Sequence, residues 1–456
     1  MAVDRSRLPE VGPDPPFRFP QIVRHQLANG LAVRTVEHRN VPLITMVLMV
    51  EGGSGADPVD KRGLAGITAD MIDEGTGALS ALDVSEALAS IGAEFDLEIA
   101  PDATMLTLTT LTRFAARGAA LLADIATRPS MREEDFTRVR QLRLDRLRQL
   151  RDIPSAVAER VFLRLLYGDH PYAHLPIGID RALRALEPDD VRSFHRAMYR
   201  PSRAALVVAG DLSHDELFAV ARRAFGEWDE PDADASWEAP AVPLPSSNGK
   251  LLAVVPREHA AQSELRIGQL TTSRNTPDYS GLLVLNVVLG GQFVSRVNLK
   301  LREEKGYTYG ARTSFDWRRG ISPFSLHASV HTAATADAVS VSLKELEDIR
   351  GGRPVEDREM SLARATLTRG YPRGFESVQS VARFVANLVL YDLPDTYFEE
   401  FVPRVKAVTA SDVTRVARSH LDPSRMLTLV VGDQGAIADS LKTLDLGEPV
   451  IVSADQ

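Results

Sequence analysis

The sequence contains no cysteine among its 456 residues. That absence excludes a disulfide scaffold, thiol catalysis, cysteine-bound zinc and iron–sulfur clusters, and it leaves the redox compartment open. No stretch approaches the roughly 18 consecutive apolar residues of a membrane-spanning helix, so no membrane partner is expected. The first ten residues and the prolines after them lack the apolar run of a secretory signal. The expectation is a cytoplasmic protein, with a periplasmic one open if a signal has been trimmed. A basic excess is missing too: 53 Lys and Arg against 62 Asp and Glu give a net charge of −9, which argues against a nucleic-acid partner. Absent as well are a phosphate-binding Gly-x-x-x-x-Gly-Lys-Ser/Thr loop, a Gly-x-Ser-x-Gly elbow and an EF-hand loop. What remains is 44% hydrophobic and 25% charged, enough for full-sized cores, and long enough for two or three domains.

Residues 1–20 carry five prolines and read as an extended arm. Asn29-Gly30 between apolar runs signals a hairpin. Strands are expected at Leu43–Val50, Phe95–Ile99, Met105–Leu111 and Leu206–Ala209, where apolar residues alternate or run together. Helices are expected at 61–74, 80–90 and 215–225. A long helical stretch from Arg113 to Gly168 should be broken at Pro129 and Pro154. The segment 229–249 is acidic and rich in Pro and Ser, the composition of a linker. The clearest organising signal is an internal repeat. Asp190-Val191, Pro201-Ser202-Arg203 and Gly210-Asp211 recur as Asp412-Val413, Pro423-Ser424-Arg425 and Gly432-Asp433, all at an offset of 222 residues. An ungapped series at one offset implies two related domains of about 220 residues each. We place them at 21–228 and 250–450. Strand pairs mixed with blocks of helices make each domain α+β.

Two histidine pairs have four-residue spacing, His170/His174 and His327/His331. The first contains a proline and reads as a turn; the second lies in an alternating run. Neither has a central carboxylate, so surface or turn roles are favoured over metal binding. Residues 132–151 form an arginine-rich helix, read as a solvated face rather than an RNA-binding one, given the acidic total and the lack of interleaved aromatics.

The segment Lys61-Arg-Gly63-Leu64-Ala65-Gly66-Ile-Thr-Ala69-Asp70-Met71 resembles the zinc-site helix of the pitrilysin/insulinase family of metallopeptidases. The preceding Gly-Ser-Gly-Ala-Asp-Pro, the Tyr167–Tyr172 stretch, Gly290-Gly291-x-x-x-Ser295-Arg296 and Leu301-Arg302-Glu-Glu-Lys-Gly306-Tyr-x-Tyr309 are similar to it in order and spacing. The resemblance implies two homologous domains, each a mostly antiparallel sheet packed by helices, together half of a clamshell. It also exposes a loss. Active members carry His-x-x-Glu-His, whose histidines hold zinc and whose glutamate activates water. Here those positions are Gly66, Ala69 and Asp70. The further glutamate ligand expected about 76 residues on falls at Arg146, beside Asp145.

The resemblance implies instead that Arg302 and Tyr309, seven residues apart, contact substrate backbone in the half that does not carry zinc. The expected function is a non-catalytic subunit that holds no cofactor, binds peptide, and pairs with a zinc-bearing chain of the same family, with 229–249 as hinge. Three alternatives stay open. One is a hard-cation enzyme using Asp70, Asp73 and Glu74. Another is a structural subunit, and the third a stand-alone homodimer that binds peptide without cutting it.

Overall fold

The computed structural model describes residues 12, 18–230, 243 and 250–454. Most of the expected arm and most of the 229–249 linker lie outside the described residues.

Two six-stranded sheets dominate. The first is built from β1 (Ile22–Gln26), β2 (Ala32–Glu37), β3 (Leu43–Glu51), β6 (Glu94–Ile99), β7 (Ala103–Leu111) and β8 (Ala204–Gly210), in the order β1-β2-β8-β3-β7-β6; β4 (Gly75–Thr76) and β5 (Leu79–Ser80) form a separate two-stranded ribbon. The second holds β9 (Leu251–Pro256), β10 (Gln262–Leu270), β11 (Ala311–Phe315), β12 (Pro323–His331), β13 (Leu427–Gly432) and β14 (Val450–Ile451), in the order β11-β12-β10-β13-β9-β14. Read from the opposite end, the second order repeats the first. Pairing is mostly antiparallel, with β2–β8, β9–β13 and β9–β14 parallel. The outer strands beside β2 and β9 differ: β1 arrives by the Asn29-Gly30 hairpin, whereas β14 comes from the C-terminal side and runs parallel to β9. At the hairpin Gly30 adopts φ 90°, a left-handed conformation that a side chain would resist.

The repeat seen in sequence is visible as structure. Helices Pro188–Met198 and Ala410–His420, and the 3-10 turns Pro201–Arg203 and Pro423–Arg425, are each separated by the same 222 residues. The long helical stretch divides into α3 (Ala115–Thr127), α4 (Glu133–Arg151) and α5 (Pro154–Tyr167), with breaks next to Pro129 and Pro154; α1 (Leu64–Met71) and α2 (Ala81–Ala89) precede it. The expected helix 61–74 is shorter because Gly63 sits at φ 108°, outside the helical region.

Each sheet has one face packed by its own helices. The other face is covered by a helix from the opposite half. Val157, Val161 and Phe162 of α5 pack on Ala253, Val255, Leu427, Leu429 and Val431 of the second sheet. Val378, Val381, Val385 and Leu388 of helix Val378–Leu390 pack on Val36, Val47, Met49, Ala205 and Val207 of the first. Phe19, at the end of the expected arm, is buried in that second cluster against Phe375 and Phe398. Burying such side chains contributes about 1.5–3 kcal/mol each, so this exchange joins the halves strongly.

Phe162 is fully enclosed in the α5 contact. Phe162→Ala should lower stability by about 3–5 kcal/mol in urea denaturation, since the rigid sheet beneath cannot collapse into the gap. A pH effect follows from two imidazoles, the buried His195 and the half-buried His327. Burial pushes His195 down to about 4. Burial, with Arg266 and Arg312 nearby, pushes His327 down to about 3. Both are neutral in the fold at pH 7, while the unfolded chain protonates them below about 6.5. Their contribution is therefore complete above pH 6.5 and is lost as pH falls toward about 4, on the order of 1 kcal/mol or more per histidine by pH 5. Denaturation at pH 7 and pH 5 should show that loss, reduced in His195→Gln.

Candidate functional site

The degenerate helix α1 is held from its N-terminus. After β3 the chain turns through Ser54–Ala56 to Asp57, whose carboxylate accepts from the backbone N–H of Gly63 at 2.6 Å and of Ala65 at 2.7 Å. A carboxylate there satisfies two orphan donors and complements the helix dipole. His174 Nε2 reaches the same carboxylate at 2.8 Å, and both side chains are buried. His174 lies at the bend closing the turn Pro171–Ala173, as its sequence setting suggested, but it is buried rather than on the surface. It is packed inside because it orients Asp57. Its neighbour His170 is turned elsewhere, accepting from Tyr172 N–H and stacking on Tyr167.

Along α1, Gly66, Ala69 and Met71 are buried, and Asp70 projects toward α4. The expectation for Arg146 is corrected here. Arg146 is exposed and donates to Gln149 on its own helix. The side chain that meets Asp70 is Arg143, one helical turn earlier. Its Nε donates to Asp70 Oδ2 at 2.6 Å and its Nη1 to Pro176 O at 2.9 Å, and it is only 7% exposed. On α4 the inward positions are Arg143, Leu144 and Leu147, which helical geometry places on one side and 146 on the other. A methyl group on Gly66 would lie 2.1 Å from Pro176 O and 2.7 Å from Arg143 Nη1. The guanidinium and the Pro176 carbonyl therefore fill the space that a side chain at 66 would need.

These residues do not fit a zinc ion. The donor set is one carboxylate already neutralised by a cation, with no imidazole beside it. The hard-cation alternative fares no better. Asp70 is engaged by Arg143 and Glu74 by Arg138. The partly desolvated Asp73 carboxyl, set beside Glu74, is pushed up to about 6 and resists carrying the charge such an ion wants. Among the described residues, no three His, Asp or Glu side chains are grouped to hold a metal. His327 is bonded to Ser325 Oγ at 2.6 Å, and His331 is exposed at the end of β12.

The second candidate region begins after helix Tyr279–Leu289 at Gly290-Gly291. Arg296 anchors it, buried and paired with Glu359 at 2.6 Å, and donating to the carbonyls of Arg353 and Pro354. Asn298 donates to Phe293 O and accepts from Ala311 N–H, tying the loop to the start of β11. The helix then widens to a π-helix over Leu299–Glu304, a geometry often found at functional sites. Leu301 points inward. Arg302 points outward and is partly exposed, with its guanidinium carbon 4.1 Å from the centre of the Phe293 ring and its Nε 3.6 Å from Glu303. Tyr307 is bound to Asp337 at 2.7 Å, whereas Tyr309 is 90% exposed and makes no hydrogen bond among the described residues. Arg302 and Tyr309 are not bonded to each other, and both retain free donors. Phe293, 61% exposed, carries no motif signal of its own; only the glycines before it point to an open loop.

The sequence matches two family models, "Insulinase (Peptidase family M16)" over residues 33–174 and "Peptidase M16 inactive domain" over 185–367. An uncharacterized zinc protease of Mycobacterium tuberculosis is 25% identical over 417 residues, covering 91% of this chain and 93% of that protein. One from Streptomyces coelicolor is 22% identical over 413 residues, covering 89% of each. Among solved structures, a peptidase M16 inactive domain from Pseudomonas fluorescens superposes with a TM-score of 0.81 at 22% identity, covering 90% of this chain and 98% of that one. A protease from Helicobacter pylori superposes with a TM-score of 0.85 at 20% identity, covering 91% and 100%. The periplasmic protease PqqL from Escherichia coli gives 0.77 at 16% identity, covering 94% of this chain and 47% of that one. At these identities the structures speak to the fold.

Restoring the motif should not restore the metal. The triple variant Gly66→His, Ala69→Glu, Asp70→His is expected to hold less than about a tenth of an equivalent of zinc by elemental analysis, and to unfold at lower temperature. Near one equivalent in a stably folded variant would show that the space can open.

Proposed function

We propose that this chain, which belongs to the insulinase (M16) family of peptidases, is a non-catalytic member that binds peptide and pairs with a separately encoded zinc-bearing chain of the family. The observation that supports this reading is the Arg143–Asp70 pair, lodged with the Pro176 carbonyl against Gly66 and Asp70, the positions that the resemblance matches to the family's histidine ligands. A buried guanidinium across α1 repels a cation and leaves no room for an imidazole at 66. Hydrolysis would then belong to the partner chain.

This chain's own contribution is Arg302 and Tyr309. Arg302 offers forked N–H donors to a peptide carbonyl or carboxylate, and Tyr309 offers one more directed donor. Held against the partner's site, such donors fix the peptide backbone and stabilise negative charge developing on the scissile carbonyl. Contact with the Phe293 ring restricts the Arg302 side chain before substrate arrives, which lowers the ordering cost of binding. In this reading each chain is half of a clamshell around a shared chamber, and the exchanged helices make its two domains one rigid half rather than two parts moving about 229–249. We place the complex in the cytoplasm, with the periplasm, where PqqL is named, as the alternative. No helix among the described residues is long and apolar enough to cross a membrane.

The test is co-expression with a family chain bearing His-x-x-Glu-His from the same genome. Arg302→Ala should leave pairing on size exclusion unchanged and reduce kcat/KM on an unfolded peptide by about tenfold or more, with Tyr309→Phe giving a smaller loss. Unchanged activity at saturating partner would remove the substrate role. A chain that dimerises with itself and binds peptide without any partner would favour the homodimer instead.

A further inference from the structure

Among the described residues five arginines are buried: Arg143, Arg266, Arg274, Arg296 and Arg318. Four have carboxylate partners. Arg143 pairs with Asp70, Arg266 with Glu159 and Glu264, Arg296 with Glu359, and Arg318 with Asp316. Arg274, in the loop between β10 and helix Tyr279–Leu289, has none within ion-pair distance among the described residues. It is as buried as Arg143, at 7% exposure. A guanidinium taken out of water without a counter-charge is costly, so what surrounds it matters.

What surrounds it is aromatic. Its central carbon lies 3.4 Å from the centre of the Tyr279 ring, 5.2 Å from that of Tyr397 and 5.6 Å from that of Tyr391. Its Nη2 donates to Tyr397 Oη at 2.8 Å. The rings offset part of the charge, but a π face leaves most of the five N–H groups without an acceptor. None of the guanidinium nitrogens is sealed away from both solvent and partner. The remaining donors therefore open toward space, and the space is there: a cavity of about 680 Å³ that Arg274 lines with Tyr279, Tyr397 and Phe401. The other charged residues lining it are mostly spoken for. Asp278 is bound by Arg415 and His420, Arg404 by Glu400, and Asp412 by Thr409. Asp392 lies outside ion-pair distance of Arg274. Arg274 and the Asp392 carboxylate are left over, and of the two it is the Arg274 cation that is set among the aromatic walls.

We propose that this cavity binds a carboxylate, with Arg274 taking the acid group through paired N–H donors and Tyr279, Tyr397 and Phe401 packing the apolar or aromatic group attached to it. The acid is either a small free carboxylate or the C-terminus of a peptide, which share this chemistry. The site lies apart from Arg302 and Tyr309 in the sequence and is testable on the chain alone, so its failure would not touch the pairing proposal.

The experiment is calorimetric titration of the purified chain with N-acetyl-phenylalanine and its C-terminal amide, and with a phenylalanine-ended hexapeptide in free-acid and amidated forms. At least one free acid should bind, with its amide about tenfold weaker or worse. Binding of the hexapeptide acid alone identifies a peptide terminus as the source, and binding of the small acid identifies a free carboxylate. Arg274→Gln should weaken the acid about tenfold or more, and Arg274→Lys, which keeps the charge but not the fork, should fall between. If Arg274→Gln does not fold, the wild-type thermal midpoint serves: it should rise with the acid and not with the amide. Acid and amide binding equally, no binding of either acid at millimolar concentration, or acid binding unchanged in a folded Arg274→Gln would each overturn the proposal.

Discussion

The contact between Arg143 and Asp70 constrains everything around the degenerate helix. A guanidinium brought into a protein interior must find both a counter-charge and acceptors for its donors. Asp70 supplies the first and the Pro176 carbonyl the second. That arrangement is possible only because position 66 is glycine; any side chain there would strike both groups. Asp57 and His174 fix the other end of the helix. The space beside Gly66 is thus closed by a salt bridge and a backbone carbonyl.

The second constraint is the exchange of helices between halves. Neither sheet covers its own second face. Each borrows a helix from the other, α5 in one direction and Val378–Leu390 in the reverse. Separating the halves would expose two apolar sheet faces and two apolar helix faces together. The two related domains therefore behave as one block, and Arg302 and Tyr309 stand on a firm base.

Much of the frame was legible in the residues. Alternation marked β6 and β7, the Asn29-Gly30 pair marked the first hairpin, and prolines 129 and 154 marked the breaks around α4. The 222-residue repeat returned as matching helices, turns and central strands. Other features depend on three-dimensional neighbours that spacing along the chain does not carry. A linear count led to Arg146, whereas the helical period turns Arg143 inward. His174 sits at a turn as expected, but its burial was not legible because its partner, Asp57, is more than a hundred positions away. Helix α5 was readable as a helix, but not as the cover of a sheet built from residues after 250. Arg274 has no motif at all; only burial and the missing carboxylate single it out.

The central claim is that the metal site of this fold has been closed by an arginine. The direct measurement is the zinc content of the purified wild-type chain after incubation with zinc and exchange into metal-free buffer. The account predicts less than about a tenth of an equivalent, because one neutralised carboxylate is no substitute for two imidazoles and a glutamate. Close to one tightly held zinc per chain would contradict it, and would mean that Arg143 gives way to a metal.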